Sequence, residues 1–340
     1  MTKHCPQLKK QLQELKSLFS QYCLELEKVK NSKEYESIFN IQKEIGDGIK
    51  QIQEVIIVSL EKAREIMGDS FYGPEEVANT FGFEIKKEGM PEIPYSQKEL
   101  VKAKELGESL ILRISHDPEG NPMTLQIIDE IMTPRLDKDD KGRLFFVVGD
   151  WYKDEYFYTN DPLKLEWRLV GGSFVPDIDS EKDESGKYTE DSTDKNYIQQ
   201  TRLLRNYLKS INSLTSEEEA QCSDDILMSL VEKIGVDWAT GEVTDRTTYE
   251  ANCKKVALEL SQLSINLNYR RSPAEIIYDF SVQFNKSKSR GFLEDNREWS
   301  RTLSSRGELV HVGLLNDSGA GVSARLPDDH DDSIGVVSVR

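Results

Sequence analysis

The sequence predicts an α+β protein with a long N-terminal helical hairpin, a mixed α/β meander region, a helical bundle region and a small C-terminal antiparallel sheet. Three observations carry that prediction. Apolar residues recur at helical spacing over the first 67 residues and again after Asn196. Short β-branched and aromatic runs bounded by turn residues fill the middle of the chain and its C-terminal part. The middle also lacks the regular βαβ alternation of a doubly wound sheet. A chain of 340 residues, 37% hydrophobic and 31% charged, has a folding composition and room for two or three domains.

The front of the chain is the most periodic. Leu8, Leu12, Leu15, Phe19, Tyr22, Leu26 and Val29 follow one another at alternating steps of four and three, which places them on one stripe of a helix from about Pro6 to about Lys30. Asn31-Ser32 offers a break and a new cap. Tyr35, Ile38, Ile41, Ile45, Ile49, Ile52, Ile56, Ala63 and Met67 form a second stripe. Gly46 and Gly48 weaken it by roughly 1 kcal/mol each relative to alanine. Neither helix can hide its stripe alone, so residues 1–70 are expected to form a coiled-coil-like antiparallel hairpin, completed by a third element or a second copy.

Residues 71–175 are expected to form an α+β domain. Gly73-Pro74 opens a short helix, and the proline-rich Gly89 to Tyr95 is irregular. Ser96-x-x-Glu99 is a capping box for a helix stopping at Gly107. Leu110 to Ile114 reads as a strand, Thr124 as the cap of a helix through Met132, and Asp137 to Gly142 as a turn. Leu144 to Val148, Glu155 to Thr159 and Leu165 to Val170 read as strands. Residues 176–194 carry eight acidic side chains against two lysines and are expected to be a linker or loop.

Residues 195–290 are expected to be helical. Tyr197, Thr201, Leu204, Leu208 and Ile211 share a face, Thr215 and Glu218 form a capping box, and further helices run from about Asp245 to Leu263 and from Ser272-Pro273 to Phe284. In residues 291–340, Trp299 to Leu303, Leu309 to Leu315, Gly321 to Leu326 and Ile334 to Val339 are strand candidates separated by polar turns. So small a sheet is marginal alone and is expected to pack on helices or join the earlier meander.

The net charge of −17 repels phosphate backbones and anionic lipid, which disfavours a nucleic-acid partner. The best local basic patch is Arg270, Arg271, Lys286, Lys288, Arg290, Arg297, Arg301 and Arg306, read as a solvated helix face and loop, with an anion-binding surface as the rival. Cys5, Cys23, Cys222 and Cys253 show no C-x-x-C pairing, which fits reduced thiols in a cytoplasmic setting. No apolar run approaches the roughly 20 residues needed to span a bilayer, and no secretory signal is expected at the N-terminus.

Candidate sites are sparse. Asp177-x-Asp179-x-Glu181 starts like a calcium loop, but Lys182 and Tyr188 stand where the loop needs glycine and glutamate. Asp328, His330 and Asp332, within a run of four aspartates around the histidine, are the densest hard-cation ligands; the plain reading is a polar hairpin loop. No other cofactor is suggested. Trp151, Tyr156, Tyr158 and Trp167, together with His116, are the candidate ligand or partner surface, against the reading that the aromatic residues fill and edge a β-core. His311 lies in a strand and can face either way. Neither a G-x-S-x-G elbow nor a phosphate-loop glycine pattern is present.

The expected role is therefore a non-enzymatic interaction or structural protein, with a protein partner or self-association through residues 8–67. The alternative is a small-ligand-binding protein or hydrolase-type enzyme with its site in the aromatic-rich region.

Overall fold

The computed structural model describes residues 14–21, 45, 58–85, 89–138, 144–145, 149–235, 243, 248–316 and 319–340. The chain divides into two compact units, Met1–Phe71 with Pro91–Leu106, and Tyr72–Met90 with Gly107–Arg340. Together they make an α+β fold of mixed helices and small sheets.

In the first unit, residues 14–21 and Ile45 are helical. The rest of the two predicted N-terminal helices up to residue 57 lies outside the described residues. The second helix does not run unbroken to Met67. Val58 forms an antiparallel bridge with Ile93. Ser59 is extended, with φ −70° and ψ 160°, and its hydroxyl accepts from Lys62 N to cap a separate helix α1, Leu60–Met67. Ala63 and Met67 are its buried face. That face packs on helix α3, Gln97–Glu105, which buries Leu100 and Ala103. Ser96 and Glu99 cap each other reciprocally at the start of α3, as the sequence motif predicts. Lys104 Nζ donates to Ile66 O across the pair at 2.8 Å.

The coiled-coil expectation is thus corrected. What closes on Ala63 and Met67 is a nine-residue helix and a β-bridge from a distant stretch of the chain, within a discrete α+β fold. An unbroken heptad seam cannot pass through Val58 and Ser59, because both are extended or bridged.

The second unit is built around one buried helix. The short strand β1, Phe71–Tyr72, marks the boundary between units, and helix α2, Pro74–Phe81, follows it. Strand β2, Ser109–Arg113, pairs antiparallel with β3, Glu166–Val170, in the register Leu112 to Trp167. Helix α4, Leu125–Lys138, continues through Pro134. The next helix, α5, is Tyr156–Asn160, where the sequence predicts a strand. Consecutive Phe157 and Tyr158 are both buried there, which a strand with one core face cannot provide and a helical turn can. Of the strand predicted over Leu144 to Val148, Phe145 forms a parallel bridge with Ala320 and residues 146–148 lie outside the described residues.

The acidic segment 176–194 folds back on itself. Pro176 bridges Asp191 and Lys182 bridges Tyr188, while Asp177, Asp183 and Asp191 each accept a backbone N–H two residues on. Short aspartate side chains supply the turns that the sequence lacks apolar residues to enforce.

Helices α6 (Tyr197–Ser210), α7 (Ser216–Gln221), α8 (Asp224–Ile234), α9 (Tyr249–Gln262), α10 (Ser264–Tyr269) and α11 (Pro273–Ser287) come next. The strands β4 (Arg297–Leu303), β5 (Leu309–Asn316), β6 (Gly319–Arg325) and β7 (Ile334–Gly335) form a sheet in the order β6-β5-β4-β7. Three strands are antiparallel, as predicted, but β7 runs parallel to β4, so the sheet is mixed.

The chain beyond β7 then crosses to the other sheet. Arg340 and Leu169 exchange backbone hydrogen bonds at 2.9 Å, and Gly171 N donates to Ser338 O at 2.9 Å. The C-terminal strands therefore join the central pair through this segment. On one side of the sheet, Trp299 and Leu309 pack into a core with Tyr197, Leu230, Val256 and Leu260. Helix α11, buried from Pro273 to Asp279, packs on β5, β2, α2 and α4.

Candidate functional site

The densest polar constellation of the described residues lies in the core of the second unit. Arg113 ends β2 with its side chain fully buried. Its Nε donates to Asp279 Oδ1 at 3.0 Å and its Nη2 to Asp279 Oδ2 at 2.6 Å, a bidentate pair. Its Nη1 lies 3.0 Å from Glu275 Oε1, an ion-pair contact without hydrogen-bond geometry. Glu275 and Asp279 are one helical turn apart on α11, so both carboxylates face the same side. Arg271, just ahead of the helix cap, donates to Asp279 Oδ2 at 3.0 Å and clasps Glu298 of β4 through Nε and Nη2. Arg301 closes the set with bonds of 2.5 and 3.0 Å to Glu275.

Three guanidinium groups thus face three carboxylates. Burial opposes the ionised form of Glu275, but Arg113 and Arg301 outweigh it and hold its carboxyl at about 2. Burial likewise opposes charge on Arg113, and Asp279 and Glu275 more than offset it, so its pKa is raised. A carboxylate locked in this way neither gives nor takes a proton near neutrality. The arrangement ties β2, α11 and β4 together and leaves Glu275 no proton to exchange near neutrality, whereas burial raises the Glu298 carboxyl despite its pairing with Arg271.

Arg270 stands apart. It is fully buried, its guanidinium lies 3.9 Å over the Tyr197 ring, and its Nε donates to Asn266 Oδ1 at 2.8 Å. Among the described residues no carboxylate lies within ion-pair range of it, and burial lowers its pKa. The basic patch read from the sequence is corrected here. Arg270 and Arg271 are buried, so they belong neither to a solvated helix face nor to an anion-binding surface.

The candidate cation ligands point to different partners. Asp328 accepts from the Tyr249 hydroxyl and from Cys253 Sγ, the latter at 3.4 Å. His330 is exposed, with Nδ1 3.2 Å from Asp194 Oδ1, and Asp332 is exposed. Asp331 between them turns to Arg325 at 2.9 Å and to Ser333. Among the described residues no group of three or more histidine, cysteine or acidic side chains is placed to hold a metal ion.

Of the aromatic candidates, Trp151 and Tyr158 both pack on the Tyr152 ring, at 6.4 and 5.6 Å, and the others lie elsewhere. Trp151 is half-buried and donates from Nε1 to Val322 O at 3.1 Å. Tyr158 is buried and donates to Asp129 Oδ2 at 2.9 Å. Tyr156, 75% exposed, points away from them. Trp167 is buried on β3 beside Leu112. His116 is exposed, bridges Pro122 across a turn and lies with Nδ1 2.9 Å from Ser115 Oγ. A shallow surface cleft is lined instead by Met132, Leu144, Phe280, Phe284 and Leu315, with Arg290 and Asn316 among its polar residues. Another lies between Ile198, Arg202, Asp224, Leu227 and Met228.

The sequence reading missed the ionic core because Arg113 looks like an interruption of an apolar strand. The available signal was Glu275 and Asp279, four residues apart on a helix otherwise filled with Ala274, Ile276, Ile277 and Tyr278. No protein-family model, curated protein or solved structure matches the chain, and its role is read from its own geometry.

Proposed function

We propose that the chain is a non-enzymatic interaction protein that associates through its N-terminal amphipathic helical segment, with a second copy of itself as the partner. One observation carries this reading. Residues 14–21 are helical, yet Leu15 and Leu18 are 42% and 63% exposed, and helical Ile45 is 41% exposed. Leu15 and Ile45 belong to the two apolar stripes of the sequence, and a repeated apolar face left in water favours association. The saturation of Glu275 and Asp279 by arginines supports the non-catalytic half of the reading. Cys222 and Cys253, both free and buried, suit a cytoplasmic setting, and among the described residues no helix is long and apolar enough to cross a membrane.

The test is the mass of the full chain in solution across a wide concentration range, beside Leu15→Glu/Leu18→Glu. Both side chains are exposed, so the double substitution should leave folding stability within about 1 kcal/mol. Association that rises with concentration in the wild type and is lost in the variant is the expected result. A wild type that stays monomeric throughout removes the self-association reading.

A further inference from the structure

We propose that His311, buried uncharged and unpartnered beside Trp299, is a built-in acid trigger that frees the β5–β6 edge of the C-terminal sheet as pH falls below neutral. This goes beyond the interaction role and does not depend on it. His311 is 1% exposed, and neither ring nitrogen has a hydrogen-bond partner among the described residues. Its ring meets the Trp299 indole edge-on at 5.3 Å, directly opposite on β4, and Trp299 Nε1 is itself without a partner. Among the described residues the site therefore offers no hydrogen-bond acceptor to an imidazolium.

The charges facing it sharpen the effect. Arg297 on β4 and Arg325 on β6 both oppose a proton on His311, while Asp331, in the loop before β7, favours one and is already engaged with both arginines. Burial is the larger influence, and together these groups push the imidazole down to about 3. In an opened state the ring would regain its ordinary value near 6.5. Protons are then taken up by opening, so the folded arrangement is fully favoured above pH 6.5 and loses ground as pH falls toward 3.

The strand that yields is β6. It stands last in the sheet order, carries Gly319 and Gly321 and pairs Ser323 with His311. Its other contacts include those of Leu144 and Phe145 at Ala320 and of Trp151 at Val322, which its release must also break. Releasing it gives the imidazole water without disturbing β4, which is held on its other side by β7.

Hydrogen exchange of the intact protein between pH 6.5 and 5, corrected for intrinsic exchange, reads this directly. Carboxylates at their ordinary values stay mostly ionised in that range, and Glu298 and Asp329, raised by burial, would favour the closed sheet as pH falls, the opposite sign to His311. The opening constant of the β5–β6 amides should rise about sixteenfold in all from pH 6.5 to 5 in the wild type, steepening toward tenfold per pH unit at the acid end, while the β2–β3 amides stay flat. His311→Phe and His311→Gln should both remove the slope. Should these variants not fold, the ring resonances of His311 in the wild type decide the matter, since they should remain those of a neutral ring wherever the sheet is intact. An unchanged slope in either folded variant, or a His311 ring that titrates near 6.5 with β5–β6 still protected, overturns the proposal.

Discussion

Asp279 shows how one side chain can govern a core. It accepts from both Arg113 and Arg271, so Asp279→Asn leaves two buried guanidinium groups short of charge. Breaking such a pair costs about 3–5 kcal/mol, and urea denaturation should register a loss of that size. The double replacement Arg113→Met/Asp279→Leu should recover part of it, because a packed apolar pair avoids the desolvation of two ions. Glu275 adds an acid limb. Its folded carboxyl sits at about 2, below the ordinary 4.5, so its contribution is complete above pH 4.5 and drains as pH falls through 2. Glu275→Gln should flatten that limb in acid titrations of stability, at a cost at neutral pH of roughly 3 kcal/mol. At this scale the sequence was least legible. Arginine and glutamate in a charged chain read as surface, and only the fold brings residues 113, 275, 279 and 298 within bonding distance.

Elements were more legible where local chemistry decides them. Ser272, Pro273 and Glu275 start α11, with Ser272 N donating to Glu275 Oε2 at 2.8 Å and Glu275 N to Ser272 Oγ at 3.3 Å. Ser272→Ala should cost about 1 kcal/mol in thermal unfolding, since one orphan N–H of the first turn loses its acceptor. Gly313 is a tertiary requirement instead. A Cβ there would lie 2.1 Å from Asn296 O, against the backbone of the neighbouring segment. Gly313→Ala should therefore destabilise by about 1–3 kcal/mol, more than an alanine in an open strand position, and the same unfolding experiment compares the two. Caps at Ser96 and Thr215 were readable because donor and acceptor lie three residues apart. The helix at Tyr156 and the break at Val58 were not, because burial of Phe157 with Tyr158 and the bridge to Ile93 are set by distant residues.

Across the whole molecule, the charge of −17 is borne by a chain that has buried Arg113, Arg270 and Arg271 in its interior. The buried carboxylates of Glu108, Glu155, Glu275, Asp279 and Glu298 offset them, so the acidic excess stays at the surface. Fluorescence anisotropy with duplex DNA at about 0.15 M salt should show no saturable binding, and submicromolar affinity would contradict the electrostatic reading. The segment from β7 to Arg340 matters at this scale too. Ser338 and Arg340 hydrogen-bond along β3, and the Arg340 side chain grips Glu108 through Nε at 2.9 and 3.1 Å, so the end of the sequence links two sheets far apart in the chain.

By itself the sequence determined the α+β class, the caps and most strand and helix positions from Leu110 onward, because these follow from side-chain period and from hydrogen bonds between near neighbours. Only the tertiary structure decided that the arginines before α11 turn inward, that His311 is sealed beside Trp299, that β7 runs parallel to β4 and that α1 begins afresh at Ser59. Those outcomes depend on which distant group reaches a buried charge or an open edge first, and no local spacing encodes that.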